Sequence, residues 1–174
     1  MRPKEKVMSD IDLMIEDDEL EQQAEKYLLF ELGKEEYCID IARITAIEEL
    51  PQITSIPDMP NFVKGVINLR GKVIPAVDLR LRFGMEEREY DDRTCIVIVS
   101  VNESTIGFIV DNVSEVHEIG KEDIGAPPSF KNTSGKEQYI AGLAKEGDKV
   151  KIILNVEKII SNEDRTILEQ RTKD

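Results

Sequence analysis

The chain has 174 residues, of which 36 are acidic and 23 are basic, giving a formal net charge of −13. This charge opposes binding to nucleic-acid phosphates and to anionic lipids, so neither is expected as a partner. No run approaches the roughly 18 apolar residues of a membrane helix, and the first twenty residues lack the apolar core of a secretory signal. We therefore predict a cytoplasmic protein that does not insert into the membrane.

Residues 1–26 differ in composition from the rest of the chain, because nine of them are acidic and four are basic. Ile11, Met14 and Ile15 recur at helical spacing. One weak apolar stripe in an acidic segment is nevertheless typical of a solvated tail. We predict a flexible acidic extension with marginal helicity, followed by the folded part of the chain.

From Tyr27 the sequence changes to short apolar runs that are typical of β-strands. YLLFELGKEEYCIDI contains two such runs around Gly33, which predicts a hairpin, and ITAIEEL predicts a third strand. The three prolines of the following PQITSIPDMPNF predict a loop or an edge strand.

The next segment, GVINLRGKVIPAVDLR, predicts two more strands that are joined by a tight turn at Arg70 and Gly71. LRLRFG after it predicts a short helix that ends at Gly84. Near the end of the chain, SNEDRTILEQRTKD begins with a capping box and predicts a helix over residues 162–171.

The second half of the chain repeats the pattern of the first half. CIDIARITAIEE (38–49) and YLLFEL (27–32) match GFIVDNVSEVHE (107–118) and IVIVSV (96–101) at an offset of 69 residues. GVINLRGKVIPAVDLRLRF (65–83) matches GLAKEGDKVKIILNVEKII (142–160) at an offset of 77. The apolar positions coincide without a gap inside either block.

This duplication predicts an all-β fold of two small barrels that share an interface. Half a chain of this length buries too little surface to be comfortable alone. We expect the first barrel at about 38–92 and the second at about 94–160. Exchanged or flanking terminal segments and the C-terminal helix would close them.

The sequence contains few candidates for catalytic or metal-binding residues. The only histidine, His117, lies between acidic residues, and strand alternation predicts that it points outward. Cys38 and Cys95 lie in apolar runs and are expected to be buried and reduced. No cofactor or metal is predicted, because no motif for either is present. Asp78, Asp111 and His117 are the candidates for an alternative function as a small barrel enzyme or ligand-binding protein.

Arg70 stands out because it lies at the tip of a tight turn between two apolar strands. A fixed backbone there lowers the entropy lost when the guanidinium engages a partner. The alternative is a solvated arginine without a role. The equivalent position in the second half is Gly147, so the fold does not demand an arginine.

Several motifs together resemble the CheW family of bacterial chemotaxis adaptors, over about residues 27–168. They are GVINLRGKVIPAVDLR after IPDMPNFVK, the EEYCIDI hairpin, the GFIVDNVSEV run, the two-proline loop before YIAGL, and ILNVEKII. The resemblance implies two SH3-like five-stranded barrels without enzymatic activity. It also implies coupling of chemoreceptors to the histidine kinase CheA, contacts with other CheW copies in array rings, and recruitment to the inner face of the membrane.

The family places a receptor-binding groove between its barrels. Carried over by motif, the receptor-binding residues would be Arg70, Ile44, Cys95 and Val113, with Asn68 and Glu115 as further candidates. Many members carry an acid at the position of Ala46, whereas the nearest acids here are Glu48 and Glu49. A receptor contact through that acid is therefore in question.

The family contacts CheA through the outer ends of its barrels. The kinase-binding candidates are Ile53, Ile56 and Met59 in the proline-containing loop, and Phe130 in a polar loop of the second half. Two other interpretations stay open. Ile53 and Ile56 could instead plug the mouth of the first barrel, and Phe130 could fold onto its own core.

Overall fold

The computed structural model describes residues 24–126 and 139–160. The predicted C-terminal helix, Phe130 and almost all of the acidic extension lie outside these ranges. The described strands are β1 Ala24–Leu32, β2 Glu35–Asp40, β3 Ile44–Glu49, β4 Val63–Leu69, β5 Lys72–Asp78, β6 Cys95–Val101, β7 Ser104–Val110, β8 Asn112–Gly120, β9 Ile124–Gly125, β10 Ile140–Glu146 and β11 Lys149–Leu154. Two short helices follow β5 and β11, namely α1 Leu79–Arg82 and α2 Val156–Ile159.

The strands form two sheets with the same internal order. The first barrel has the order β3-β6-β7-β5-β4, and the second has the order β8-β1-β2-β11-β10, to which the short β9 is added. The all-β prediction of two SH3-like barrels is thereby confirmed.

Each barrel contains a hairpin from the other half of the chain. Hairpin β1–β2 belongs to the second barrel, and hairpin β6–β7 belongs to the first. The 3-10 turn Ile41–Arg43 carries the chain from one sheet to the other. The continuous ranges 38–92 and 94–160 therefore do not coincide with the sheets, because local patterns carry no information on which distant strand a hairpin joins.

The duplication holds at the level of strand register. Cys38 of β2 lies opposite Ile153 of β11 in a parallel pair, and the equivalent Gly107 of β7 lies opposite Ala76 of β5. The register shifts also recur, since β3 on β6 and β8 on β1 are both irregular at equivalent places. The repeat therefore describes the backbone of both barrels.

Two equivalent glycines let an edge segment approach a β-strand closely. A Cβ atom on Gly65 would lie 2.1 Å from the carbonyl oxygen of Thr54, and one on Gly142 would lie 2.9 Å from that of Gly125. Thr54 forms an isolated bridge with Val66, and Gly125 pairs with Leu143. Both strands β4 and β10 are thus covered in the same way.

The apolar side chains form three layers. A central layer lies between the sheets and contains residues of both barrels, among them Leu28, Phe30, Ile39, Val113, Ile44, Ile47, Val97 and Phe108. The opposite strand faces fill the two barrel interiors, with Tyr27, Leu29, Cys38, Ile119, Ala144 and Ile153 in the second and Ile67, Ile74, Ala76, Ile96, Ile98 and Ile109 in the first. Most strands are therefore buried on both faces.

Candidate functional site

The turn between β4 and β5 has an unusual backbone. Arg70 and Gly71 both have positive φ angles, of 54° and 85°. Leu69 and Lys72 pair on either side of them, so this is a two-residue hairpin turn, and the Gly71 N–H donates to Asn68 Oδ1 at 2.8 Å. A left-handed conformation costs a residue with a side chain about 1–2 kcal/mol. The turn thus holds an arginine at a position that suits glycine.

The Arg70 side chain is 75% exposed and has one described partner. Its Nη2 donates to Glu48 Oε1 at 2.9 Å. Glu48 lies on β3 and Arg70 follows β4, so this contact joins the two outer strands of the first barrel. An exposed ion pair of this kind contributes only about 0–1 kcal/mol. The contact orients the guanidinium but leaves most of it open to solvent.

Three of the predicted receptor-binding residues are buried in the central layer. Ile44, Cys95 and Val113 are 6%, 0% and 4% exposed. Ile44 and Val113 occupy equivalent positions in β3 and β8, beside the two register shifts. The side chains of the two barrels pack against each other here, so these three offer a partner almost no surface. Direct receptor contacts through these three side chains stay a prediction.

The remaining receptor candidates are accessible but lie on different barrels. Asn68 is exposed beside Arg70, where its side chain stabilises the turn. Glu115 lies on β8 of the second barrel with a side chain that is 44% exposed. The structure therefore brings together Asn68, Arg70 and Glu48. The role of Glu48 had no signal in the sequence beyond its place among the acids after Ala46.

The kinase-binding candidates of the proline-containing loop divide into two groups. Ile53 packs against the interior of the first barrel, and Met59 packs against the central layer. Ile56 is half-buried and belongs to none of the described apolar clusters. Ile53 therefore fills the mouth of the first barrel, as the alternative interpretation predicts. Ile56 is the apolar residue of this loop that could contact a partner.

His117 does not point outward as predicted. It is 25% exposed and contacts two carboxylates, with Nε2 2.7 Å from Glu115 Oε1 and Nδ1 3.0 Å from Glu146 Oε1. Strand alternation does place it opposite Val116, but that face of β8 lines the second barrel. Burial lowers the pKa of His117, but the two carboxylates outweigh this and raise it above its ordinary value.

The residues of the alternative hypothesis are each held by structural partners. Asp78 caps α1 by accepting from the Leu81 N–H and also accepts from the Tyr90 hydroxyl at 2.7 Å. Asp111 accepts from Arg80 Nε at 2.7 Å and Nη2 at 2.5 Å. Burial raises the pKa of Asp111, but the Arg80 guanidinium outweighs this and the pKa is lowered.

These residues do not form one cluster with His117. Within 24–126 and 139–160, no group of three or more His, Cys, Asp or Glu side chains could hold a metal ion. Both cysteines are buried without a disulfide, as expected, and burial raises the pKa of Cys38 to about 12. The alternative of a small barrel enzyme has no support in this arrangement.

An apolar cleft of about 260 Å³ lies on the second barrel beside the end of α1. Its aromatic side chains stack in series, with ring centroids 5.8 Å apart for Tyr37 and Phe83 and 5.5 Å apart for Phe83 and Tyr139. No local pattern in the sequence predicts this cleft, because its residues come from distant segments of the chain.

Comparison with known proteins gives consistent matches. The model of the family described as "CheW-like domain" matches residues 26–164. The chain is 35% identical over 153 residues to chemotaxis protein CheW of Klebsiella aerogenes, covering 88% of this chain and 92% of that protein. It is 34% identical over 138 residues to chemotaxis protein CheW of Helicobacter pylori, with coverages of 79% and 82%.

A solved structure shares the fold. The crystal structure of scaffolding protein TtCheW from Thermoanaerobacter tengcongensis superposes with a TM-score of 0.74 at 35% identity, covering 81% of this chain and 95% of that chain. Among the helices of the described residues, none has the length and apolar character to cross a bilayer.

Proposed function

The chain belongs to the family of CheW-like domains, and we propose that it is a non-catalytic chemotaxis scaffold. In this proposal it couples the cytoplasmic tips of transmembrane chemoreceptors to the histidine kinase CheA, at receptor arrays on the inner face of the membrane. It acts by geometry, because holding two partners together biases the kinase between its conformations.

The main support for a receptor contact at Arg70 is its backbone conformation, with a φ angle of 54°. The equivalent turn of the second barrel has Gly147 at φ 61°, where glycine is unstrained. Arg70 adopts a left-handed conformation at the same place and forms only an exposed ion pair. Since neither feature stabilises the fold much, the arginine is best explained by a partner.

The receptor surface in this proposal is the exposed end of the first barrel at Asn68, Arg70 and Glu48. A carboxylate on the receptor helix can bind the guanidinium of Arg70 through its free N–H groups. Ile44, Cys95 and Val113 lie buried in the central layer between the two barrels. Ile56 of the proline-containing loop and Phe130 of the second half of the chain are the proposed kinase contacts, and the same residues can meet other CheW copies.

The proposal is tested by co-sedimentation. Membranes that contain chemoreceptors are pelleted with purified CheA, with and without the protein. We expect the amount of pelleted CheA to rise when the protein is added. Equal recovery of CheA in both pellets would overturn the scaffold function.

Variants then test the receptor surface. Arg70→Gly should keep the protein folded but lower the amount that pellets with the receptor membranes. Arg43→Ala is the matched control, because Arg43 is also an exposed arginine with one carboxylate partner, Glu157, at 2.7 Å. If both variants pellet like the wild type, Arg70 is a solvated turn residue.

A further inference from the structure

The two contacts of His117 require a particular protonation state. Carboxylates only accept hydrogen bonds, and a neutral imidazole donates from one nitrogen only. Nε2 lies 2.7 Å from Glu115, and Nδ1 lies 3.0 Å and 3.1 Å from the two oxygens of Glu146. Both contacts are hydrogen bonds only when the ring is the doubly protonated imidazolium. We call Glu115, His117 and Glu146 the His117 bridge.

Charged and titratable groups surround the bridge on every neighbouring strand. Glu146 of β10 also accepts from Lys151 Nζ of β11 at 2.8 Å, and Lys151 lies 3.8 Å from Glu36 of β2. On β1, the residue opposite His117 is Tyr27, whose hydroxyl donates to Glu25 at 2.6 Å.

The protonation state of His117 therefore changes the net charge of this cluster. The carboxylates of Glu36 and Glu146 lie near the ammonium group of Lys151, and those of Glu115 and Glu146 contact the imidazole ring. Protonation of His117 adds a positive charge between Glu115 and Glu146. Glu118 and Lys26, next along β8 and β1, lie opposite each other in the strand register.

The His117 bridge joins strands that have no backbone pairing in the described sheet. β8 is the first strand in the order β8-β1-β2-β11-β10-β9, and β10 is near its other end. Side chains alone therefore connect β8 to β10 here. The first barrel places apolar residues at most of the equivalent positions, namely Ala46 for Glu115, Leu69 for Glu146 and Ile74 for Lys151.

We propose that the His117 bridge closes the second barrel in a proton-dependent manner. With the imidazolium present, β8 is held to β10. When the ring loses its proton, at least one carboxylate contact loses its hydrogen and the remaining charges repel each other. The strand edges then separate more easily.

The direction of the pKa shift agrees with this device. The pKa of His117 is raised in the folded state, so the bridge stabilises the fold fully below the ordinary histidine value of about 6.5. This stabilisation is lost as the pH rises through the folded-state pKa. The second barrel is therefore expected to loosen on the alkaline side of neutrality.

The experiment is an NMR titration of the full chain, in which His117 gives the only histidine signals. We expect a midpoint above 6.5, which moves down toward that value in Glu146→Gln and also in Glu115→Gln. Amide protection factors of β8 and β10 should fall as the pH passes the midpoint, whereas those of β3 and β4 should not. The fall should be absent in His117→Gln.

A midpoint at or below 6.5, or one that neither substitution moves, would overturn the proposal. So would protection factors in β8 and β10 that follow the same pH course in wild type and His117→Gln. The result does not depend on binding to chemoreceptors or CheA, so it stands or fails apart from the scaffold function.

Discussion

The two barrels have the same backbone and different interiors. Their strand orders, pairing registers and register shifts match position by position. The side-chain contacts that join the outer strands of each barrel differ in their chemistry. In the first barrel Glu48 contacts Arg70, which is exposed, whereas in the second the equivalent of Glu48 is His117, which contacts Glu146 in a partly buried cluster. The duplication therefore preserved strand pairing and left the polar closure of each barrel free to change.

The partly buried contact of the second barrel and the exposed contact of the first barrel suggest different roles for the two. The second barrel uses its ionic groups internally, where Lys151 is only 7% exposed. The first barrel fills its interior with apolar side chains, and the cation that contacts Glu48, Arg70, is directed outward. The exposed closure is thus the one available to a partner.

The largest expected loss of stability comes from substituting the two equivalent glycines, Gly65 and Gly142, which a neighbouring backbone approaches closely. Gly65→Ala should destabilise the protein by about 3–5 kcal/mol, since a Cβ would lie 2.1 Å from a backbone oxygen and the φ angle is 146°. Gly142→Ala meets its nearest backbone oxygen at 2.9 Å and should cost about 1–2 kcal/mol. Urea denaturation measures the free energy of unfolding of both variants. Equal losses would show that the difference between the two Cβ-to-oxygen distances does not determine the cost.

The next effect compares two ion pairs that involve equivalent helix positions. Arg80 of α1 binds Asp111, with side chains 14% and 9% exposed, whereas Glu157 of α2 binds Arg43, with side chains 39% and 47% exposed. Asp111→Asn leaves a mostly buried guanidinium without its charge partner and should cost about 3 kcal/mol. Arg43→Ala should cost less than about 1 kcal/mol. Similar losses in thermal unfolding would show that burial does not separate these pairs.

Asp111 should also contribute to the loss of protein stability at low pH. Its pKa is lowered in the folded state, so it contributes stability above the unfolded value of about 3.9 that is lost as the pH falls through the folded-state pKa. The free energy of unfolding of the wild type should therefore fall more steeply below about pH 4 than that of Asp111→Asn. Parallel curves would assign the acid sensitivity to other groups.

The smallest effect concerns the equivalent turns. Gly147→Arg should destabilise the protein by about 1–2 kcal/mol through backbone strain alone, because nothing lies within 4 Å of the position of a Cβ atom there. Arg70→Gly should leave the melting temperature unchanged or raise it. A clear loss of stability in Arg70→Gly would mean that the Glu48 contact is structural.

Much of the fold was open to prediction from local patterns. The hairpins around Gly33 and Gly71 and the repeat itself follow from apolar spacing, and the register confirms them. The exchange of hairpins between barrels could not be located, because residues 41–43 form an ordinary turn whether or not the chain changes sheet. Alternation likewise placed His117 opposite Val116, but it could not reveal that each face of β8 contributes buried side chains, Val116 to the central layer and Ile119 to the second barrel.

The site was predictable only in part. Arg70 stood out because one copy of a duplication has an arginine where the other has Gly147. Both residues have positive φ angles, so the arginine lies at a position that suits glycine. The burial of Ile44 and Val113 depends on how two sheets pack, which no local pattern contains. Ile53 and Ile56 had the same apolar character in sequence, and only tertiary packing separates them.

An NMR titration with a fragment of a chemoreceptor cytoplasmic tip tests the central claim most directly. The amides of residues 68–72 and of Glu48 should shift on binding, while those of the equivalent turn at Gly147 and Asp148 stay in place, and Arg70→Gly should weaken the interaction. Binding that moves the second-barrel turn and leaves Arg70 and its neighbours unchanged would contradict it.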